Sequence, residues 1–280
     1  MRKLLILFAI LSMAVILNSC WTPFNTIRGV GMLITDTISV GNINGVEVND
    51  VINVVLTNSD TSYVVIESQK NILDLIEITV SNGICSVGFK KNVNVMPTLP
   101  ATVYLFSPII NSIQIDGSGD VSTTNSFDSI SNLNIKLYGS GDLQFDWAYA
   151  DNIFIDIDGS GDMDIFGNGG NVRTTIDGSG DLLIHSNLNS SRFDLNGSGD
   201  CTITGSVNNN NLYVDGSGNF YGFGYNTLTT YVRVRGSGNS EIYVSDELNV
   251  NILGSGDVIY QGDPLIDFNR TGSGDLINAN

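Results

Sequence analysis

Seven aspartates close identical tetrapeptides. Asp120, Asp142, Asp162, Asp181, Asp200, Asp257 and Asp275 each end a Gly-Ser-Gly-Asp, and Asn219 and Asn239 end two Gly-Ser-Gly-Asn copies. Carboxylates repeated at a fixed spacing could bind a hard cation such as calcium through oxygen. They could also work in pairs as acid and base on a glycosidic bond, or accept hydrogen bonds from backbone N–H groups at a turn. A second acidic set, Asp156, Asp158, Asp177 and Asp194, lies just ahead of three of these tetrapeptides and offers a possible cation patch.

The residue types weigh these chemistries. Two of the nine closing positions are Asn, so the side-chain oxygen matters more than the charge, which favours the turn. Calcium-binding β-rolls follow G-G-x-G-x-D in nonapeptides, twice per coil; here Asp follows the second Gly directly, once per repeat. Calcium is therefore the lesser alternative, and no metal-ligand set stands out. The carbohydrate-cleaving β-helix motifs N-T-D, D-D, G-H-G and R-I-K are absent, and the single histidine, His185 in "LLIHSN", has no nucleophile beside it in sequence. The expectation is a chain that is not an enzyme and has no catalytic residues.

The spacing says what positions these residues. First glycines of successive GSG motifs are 22, 20, 19, 19, 19, 20, 18 and 18 residues apart, a period that means a solenoid. Four residues before each GSG stand Ile113, Ile135, Ile155, Thr174, Phe193, Leu212, Val232, Val250 and Phe268. Two before stand Ile115, Leu137, Ile157, Ile176, Leu195, Val214, Val234 and Ile252, with polar residues between. Alternation in register predicts one strand per repeat with a buried face. The residue after the Asp or Asn is mostly apolar too (Val121, Leu143, Met163, Leu182), predicting a short second strand followed by a variable return. Helical periodicity is lacking. The fold class is all-β, a parallel β-helix of coils of about 19 residues with GSG[DN] corners, where Gly supplies positive φ. Coils stacked ~4.8 Å apart would make a rod on the order of 40 Å long.

Residues 40–280 read as one domain, with 40–116 as less regular N-terminal coils, 117–265 as regular coils and 266–280 as a C-terminal cap. In the cap Arg270 takes an inward position, and a solenoid end needs a polar face. Residues 1–19 read as a lipoprotein signal peptide: Arg2 and Lys3, an apolar run from Leu4 to Leu17, and then "LNSC". Cys20 is the expected lipidation site and membrane anchor, with 20–39 as tether. Trp21 replaces the Asp that holds enterobacterial lipoproteins at the inner membrane, so an outer-membrane lipoprotein is expected, the leaflet undecided. Cys85 and Cys201 belong to distant coils, too far apart for a disulfide, and read as buried thiols. A net charge of −17 without basic runs excludes nucleic acid as partner.

The lipobox, the stretch "VGNINGVEVNDVINVVLTNSDTSYVVIESQKNILDLIEITVSNG" and the iterated GSGD after "LPATVYLFSPIINSIQI" together resemble the putative autotransporter adhesin, head GIN domain family. The resemblance spans about residues 40–280. Its most specific part is the approach Pro108, Ile110, Ile113, Ile115, Gly117; Asn219, Asn239 and Tyr138 depart from the pattern around the turn. It implies an exported Bacteroidetes-type β-helical protein, an adhesin for a surface, glycan or protein partner, with no catalytic or binding residues to carry over. A structural or stress-related envelope component acting through another envelope protein is the second reading, and a carbohydrate-active enzyme the third.

Overall fold

The structure, a computed structural model, describes residues 26–280. The signal segment and Cys20 lie outside the described residues. Among those described, the chain is built almost wholly of strands, with one helical turn at Lys70–Leu73.

The columns seen in the sequence are hydrogen-bonded columns in space. Ile113 pairs with Ile135, and the same register continues through Ile155, Thr174, Phe193, Leu212, Val232, Val250 and Phe268, always in parallel. After the corner, Val54, Val121, Leu143, Met163, Leu182, Cys201 and Phe220 form a second parallel column. From Ile113 to Val250 and from Val54 to Phe220, both columns are buried. Each coil therefore stacks like on like, and its apolar residues meet the same column above and below. The architecture is a parallel β-helical solenoid.

The return stretch is more ordered than its variable sequence suggests. Met163–Ile176, Leu182–Leu195 and Cys201–Val214 are single strands of 14 residues each. The expected short second strand thus runs on around the coil, because inter-coil pairing needs only backbone groups and tolerates the Asn, Ser, Thr and Gly found there. Unequal coil lengths are absorbed by register shifts at Asp146/Tyr149, Thr202/Gly205 and Gly222/Asn226.

The N-terminal part keeps the stacking for two coils and then abandons it. Gly45–Val48 and Asn53–Asn58 lie parallel between Ser112–Ile115 and Val121–Thr123 on one side and Ile84–Phe89 and Thr102–Ser107 on the other. Tyr63–Gln69 and Ile76–Ser81 then run antiparallel to the last two strands. From residue 26 the expected tether is part of the sheets: Leu33–Ser39 pairs antiparallel with Tyr63–Gln69, and Thr26–Arg28 pairs with Asn94–Met96. Leu33–Ser39 is mostly exposed, so its place is set by the backbone ladder it forms on the edge of Tyr63–Gln69.

The C-terminal coil, read as the cap, combines apolar and polar residues. Ile266 and Phe268 occupy inward columns and are 43% and 41% exposed. Arg270 pairs with the carboxylate of Asp275, so only part of this end is polar. Cys85 and Cys201 are free and buried, as read from the sequence. Burial pushes the Cys85 thiol up to about 12 and raises that of Cys201 as well.

Candidate functional site

The corner is the feature that every regular coil shares. None of its glycines adopts a positive φ; among the described residues, glycines with positive φ are Gly31, Gly83, Gly205 and Gly262. The expectation of a left-handed turn is therefore corrected. Glycine is required by close approach. A Cβ on either glycine of any GSG would stand 1.8–2.2 Å from a carbonyl oxygen of the coil below, as with Gly178 against Gly159 at 2.1 Å. That oxygen is so close because the corner N–H groups bond to it: Ser179 N donates to Gly159 O at 3.0 Å, and Gly180 N to the same oxygen at 3.3 Å.

The closing Asp or Asn completes the corner through its side chain. Asp142 N donates to Asp120 Oδ1 at 3.0 Å, Asp162 N to Asp142 Oδ1 at 2.8 Å, and Asp181 N to Asp162 Oδ1 at 2.8 Å. Asp200 N, Asn219 N, Asn239 N, Asp257 N and Asp275 N continue the series at 2.6–2.9 Å, each to the side-chain oxygen of the coil below. An amide oxygen accepts as well as a carboxylate does, which explains Asn219 and Asn239. The lowest rung is Asn53, whose Oδ1 accepts from Asp120 N at 3.1 Å. The sequence hid this residue because "VINVV" lacks the glycines. The carboxylates thus act as structural acceptors between coils, and among the described residues no three His, Cys, Asp or Glu side chains converge to hold a metal ion.

A groove of about 990 Å³ runs beside this ladder. Asp120, Asp142, Asp162, Asp181 and Asp200 line it. Its outward column runs from Tyr104 through Val55, Ser122, Gln144, Asp164, Leu183 and Thr202 to Tyr221. The Tyr104 hydroxyl donates to Glu67 Oε2 at 3.2 Å, and burial followed by the Glu67 charge raises its pKa. Nearby, Asp146 has a carboxylate pKa raised by burial and then by the charge of Asp164.

The second acidic set faces outward on the strand ahead of the corner, and the fold mixes it with cations. Arg192 holds Asp194 through two bonds of 2.8 and 2.7 Å, with Arg173 4.0 Å away. Asp177 accepts from the Asn196 amide at 2.7 Å, Asp156 lies 3.5 Å from the Tyr138 hydroxyl, and Asp158 is exposed. His185 acquires a neighbour invisible in its own segment: the next coil brings Thr204 Oγ1 to 2.6 Å from Nδ1, and Phe166 stacks on the ring at 4.6 Å. The 19-residue offset from His185 to Thr204 was the available signal. Among the described residues, no helix is long and apolar enough to cross a membrane.

Fold and corner together define a class: a short-coil parallel β-solenoid whose corners are tied from coil to coil by side-chain oxygens. The family model described as putative auto-transporter adhesin, head GIN domain matches residues 42–192 and 184–264, and the chain belongs to that family. Solved structures share the fold at low identity. A putative adhesin from Parabacteroides distasonis is 20% identical with a TM-score of 0.71, over 91% of this chain and 100% of its own. A putative lipid binding protein from the same organism is 21% identical with a TM-score of 0.71, over 91% and 100%. A putative adhesin from Parabacteroides merdae is 20% identical with a TM-score of 0.69, over 91% and 99%. No curated protein matches this chain.

Proposed function

We propose that this chain is a non-catalytic, envelope-anchored binding protein, an adhesin that holds a surface, glycan or protein partner along the length of its solenoid. The observation that carries the reading is the groove of about 990 Å³ beside the corner ladder, lined by successive coils with Tyr104 and Tyr221 at its two ends. A rigid row of polar acceptors with aromatic ends suits a linear ligand held by many weak contacts, and such contacts gain from being joined. Family membership supports an envelope or surface setting. Anchoring through acylated Cys20 in the outer membrane completes the proposal, since two or more acyl chains hold a protein stably.

Binding of the mature lipoprotein to arrays of glycans and matrix proteins tests the reading. Saturable binding, weakened by Tyr104→Ala or Tyr221→Ala, is expected; no binding on either array by folded protein would overturn it. Protease shaving of intact cells separates the adhesin from an envelope component: the adhesin is cut, and a component facing the periplasm is spared. Labelled palmitate should enter the native chain and not a Cys20→Ala chain.

A further inference from the structure

Every Lys and Arg from residue 112 onward falls within the five residues that precede a GSG: Lys136, Arg173, Arg192, Arg233, Arg235 and Arg270. The strand ahead of the corner is thus the face that carries the cations of the regular coils, while the groove on the other side of the corner has carboxylates and no cation. In a chain of net charge −17 this segregation is a strong local feature. From Arg173 to Arg235 the outward positions hold four guanidiniums (Arg173, Arg192, Arg233, Arg235) against three carboxylates (Asp177, Asp194, Asp215).

These groups are fixed in place. Tyr213 is sandwiched between Arg192 at 4.3 Å and Arg233 at 4.7 Å from its ring centre, and Tyr231 packs on it at 5.7 Å. Asp194 fixes Arg192, and Asp215 fixes Arg233 at 3.0 Å. The outer guanidiniums are held more loosely: Arg173 lies 4.0 Å from Asp194 and Arg235 3.7 Å from Asp215, and their side chains are 61% and 55% exposed. On the same face, one and two coils below Arg173, Phe154 and Tyr138 are 45% and 40% exposed beside Asp156 and Asp158. Guanidinium forks take carboxylates in a planar, two-bond geometry. Exposed aromatic rings accept the apolar C–H face of a pyranose. The coil rise of ~4.8 Å is of the same order as the advance of one sugar along an extended chain.

We propose that this face docks a linear glycan bearing carboxylates, laid along the solenoid across the coils from Arg173 to Arg235. The inference rests on the binding-protein reading and goes beyond the groove: it assigns a second binding face, across the corner, and its ligand class. The contact spans three coil rises, on the order of 15 Å, so affinity grows with glycan length until that span is filled.

The test uses the mature lipoprotein in detergent with polygalacturonate as probe. Fully methyl-esterified polygalacturonate serves as the same chain without charge, and polyglutamate as charge without sugar. Binding to polygalacturonate that is at least tenfold stronger than to either control, and that weakens with salt, is expected. R173Q/R235Q should lose at least tenfold, with its melting curve confirming the fold, while K90Q/K91Q, which removes two exposed cations from the N-terminal part, should keep native affinity. Equal binding by R173Q/R235Q, or polyglutamate binding as tight as polygalacturonate, would overturn the inference. Binding only to neutral glycans through the corner groove would overturn it while leaving the binding-protein reading intact. No binding to any glycan or protein would remove both.

Discussion

The coil at residues 45–58 and the coils above it have the same two columns, yet only the latter have glycine corners. At the first corner the chain reads Asn49-Asp50-Val51-Ile52-Asn53, and Gly117 and Gly119 stack on Asp50 O and Ile52 O at 2.2 and 2.0 Å from a notional Cβ. Asp50 Oδ2 instead accepts from Phe89 N at 2.7 Å, because the chain below leaves the stack between Phe89 and Thr102. A corner needs glycine only when another corner lies directly beneath it. The requirement belongs to the interface between coils, not to the conformation of the turn.

Gly178→Ala breaks that interface most directly. It should cost roughly 3 kcal/mol by overpacking against a backbone that cannot yield. Gly41→Ala, with nothing within 4 Å of its Cβ, should stay within ~0.5 kcal/mol. Urea melts of both variants check this, and equal midpoints would refute the stacking account. The ladder is the next test. Asp181→Ala strands the N–H of Asp200 and should cost about 1 kcal/mol, as for a lost hydrogen bond; Asp181→Asn keeps an acceptor and should melt within ~0.5 kcal/mol of native.

Thiol labelling sharpens the contrast between the two regions. Cys85 lies on a strand flanked by the antiparallel Ile76–Ser81, whereas Cys201 is enclosed by regular coils on both sides. Both thiols are raised by burial and react only through opening. In intermediate urea, mass-resolved alkylation should find Cys85 modified several-fold faster. Equal rates would mean the whole stack opens as one unit.

The smallest effect is at Asp146. Its carboxyl is raised when folded, so the unfolded chain ionises first and stability falls as pH rises from the ordinary carboxylate value through the raised one. Asp146→Asn should raise Tm at pH 7 by roughly 1 °C and give no gain near pH 3. An equal shift at both pH values would refute the assignment.

The columns were legible because a solenoid residue meets its own kind above and below, so Ile135, Ile155 and Phe193 had to be apolar together. Register was legible for the same reason. Strand direction was not: "SYVVIES" and "ICSVGF" alternate equally well in parallel and antiparallel ladders, and only long-range pairing separates them. The return stretches were read only as variable because their side chains are polar, although most of their backbone joins the ladders between coils. Asn53 and the His185–Thr204 contact were hidden for a common reason: their partners lie one or more coils away, outside any local motif.

The rungs from Asn53 to Asp275 all run one way, each side chain accepting from the coil that follows. A coil therefore presents the same offer to its successor that it took from its predecessor. Whole coils can be duplicated or deleted without leaving an orphaned rung, whereas a fraction of a coil cannot. The length of this protein, and with it the reach of its outer faces, is a quantity that gene duplication can adjust in steps of one coil while every bond at the corner stays the same.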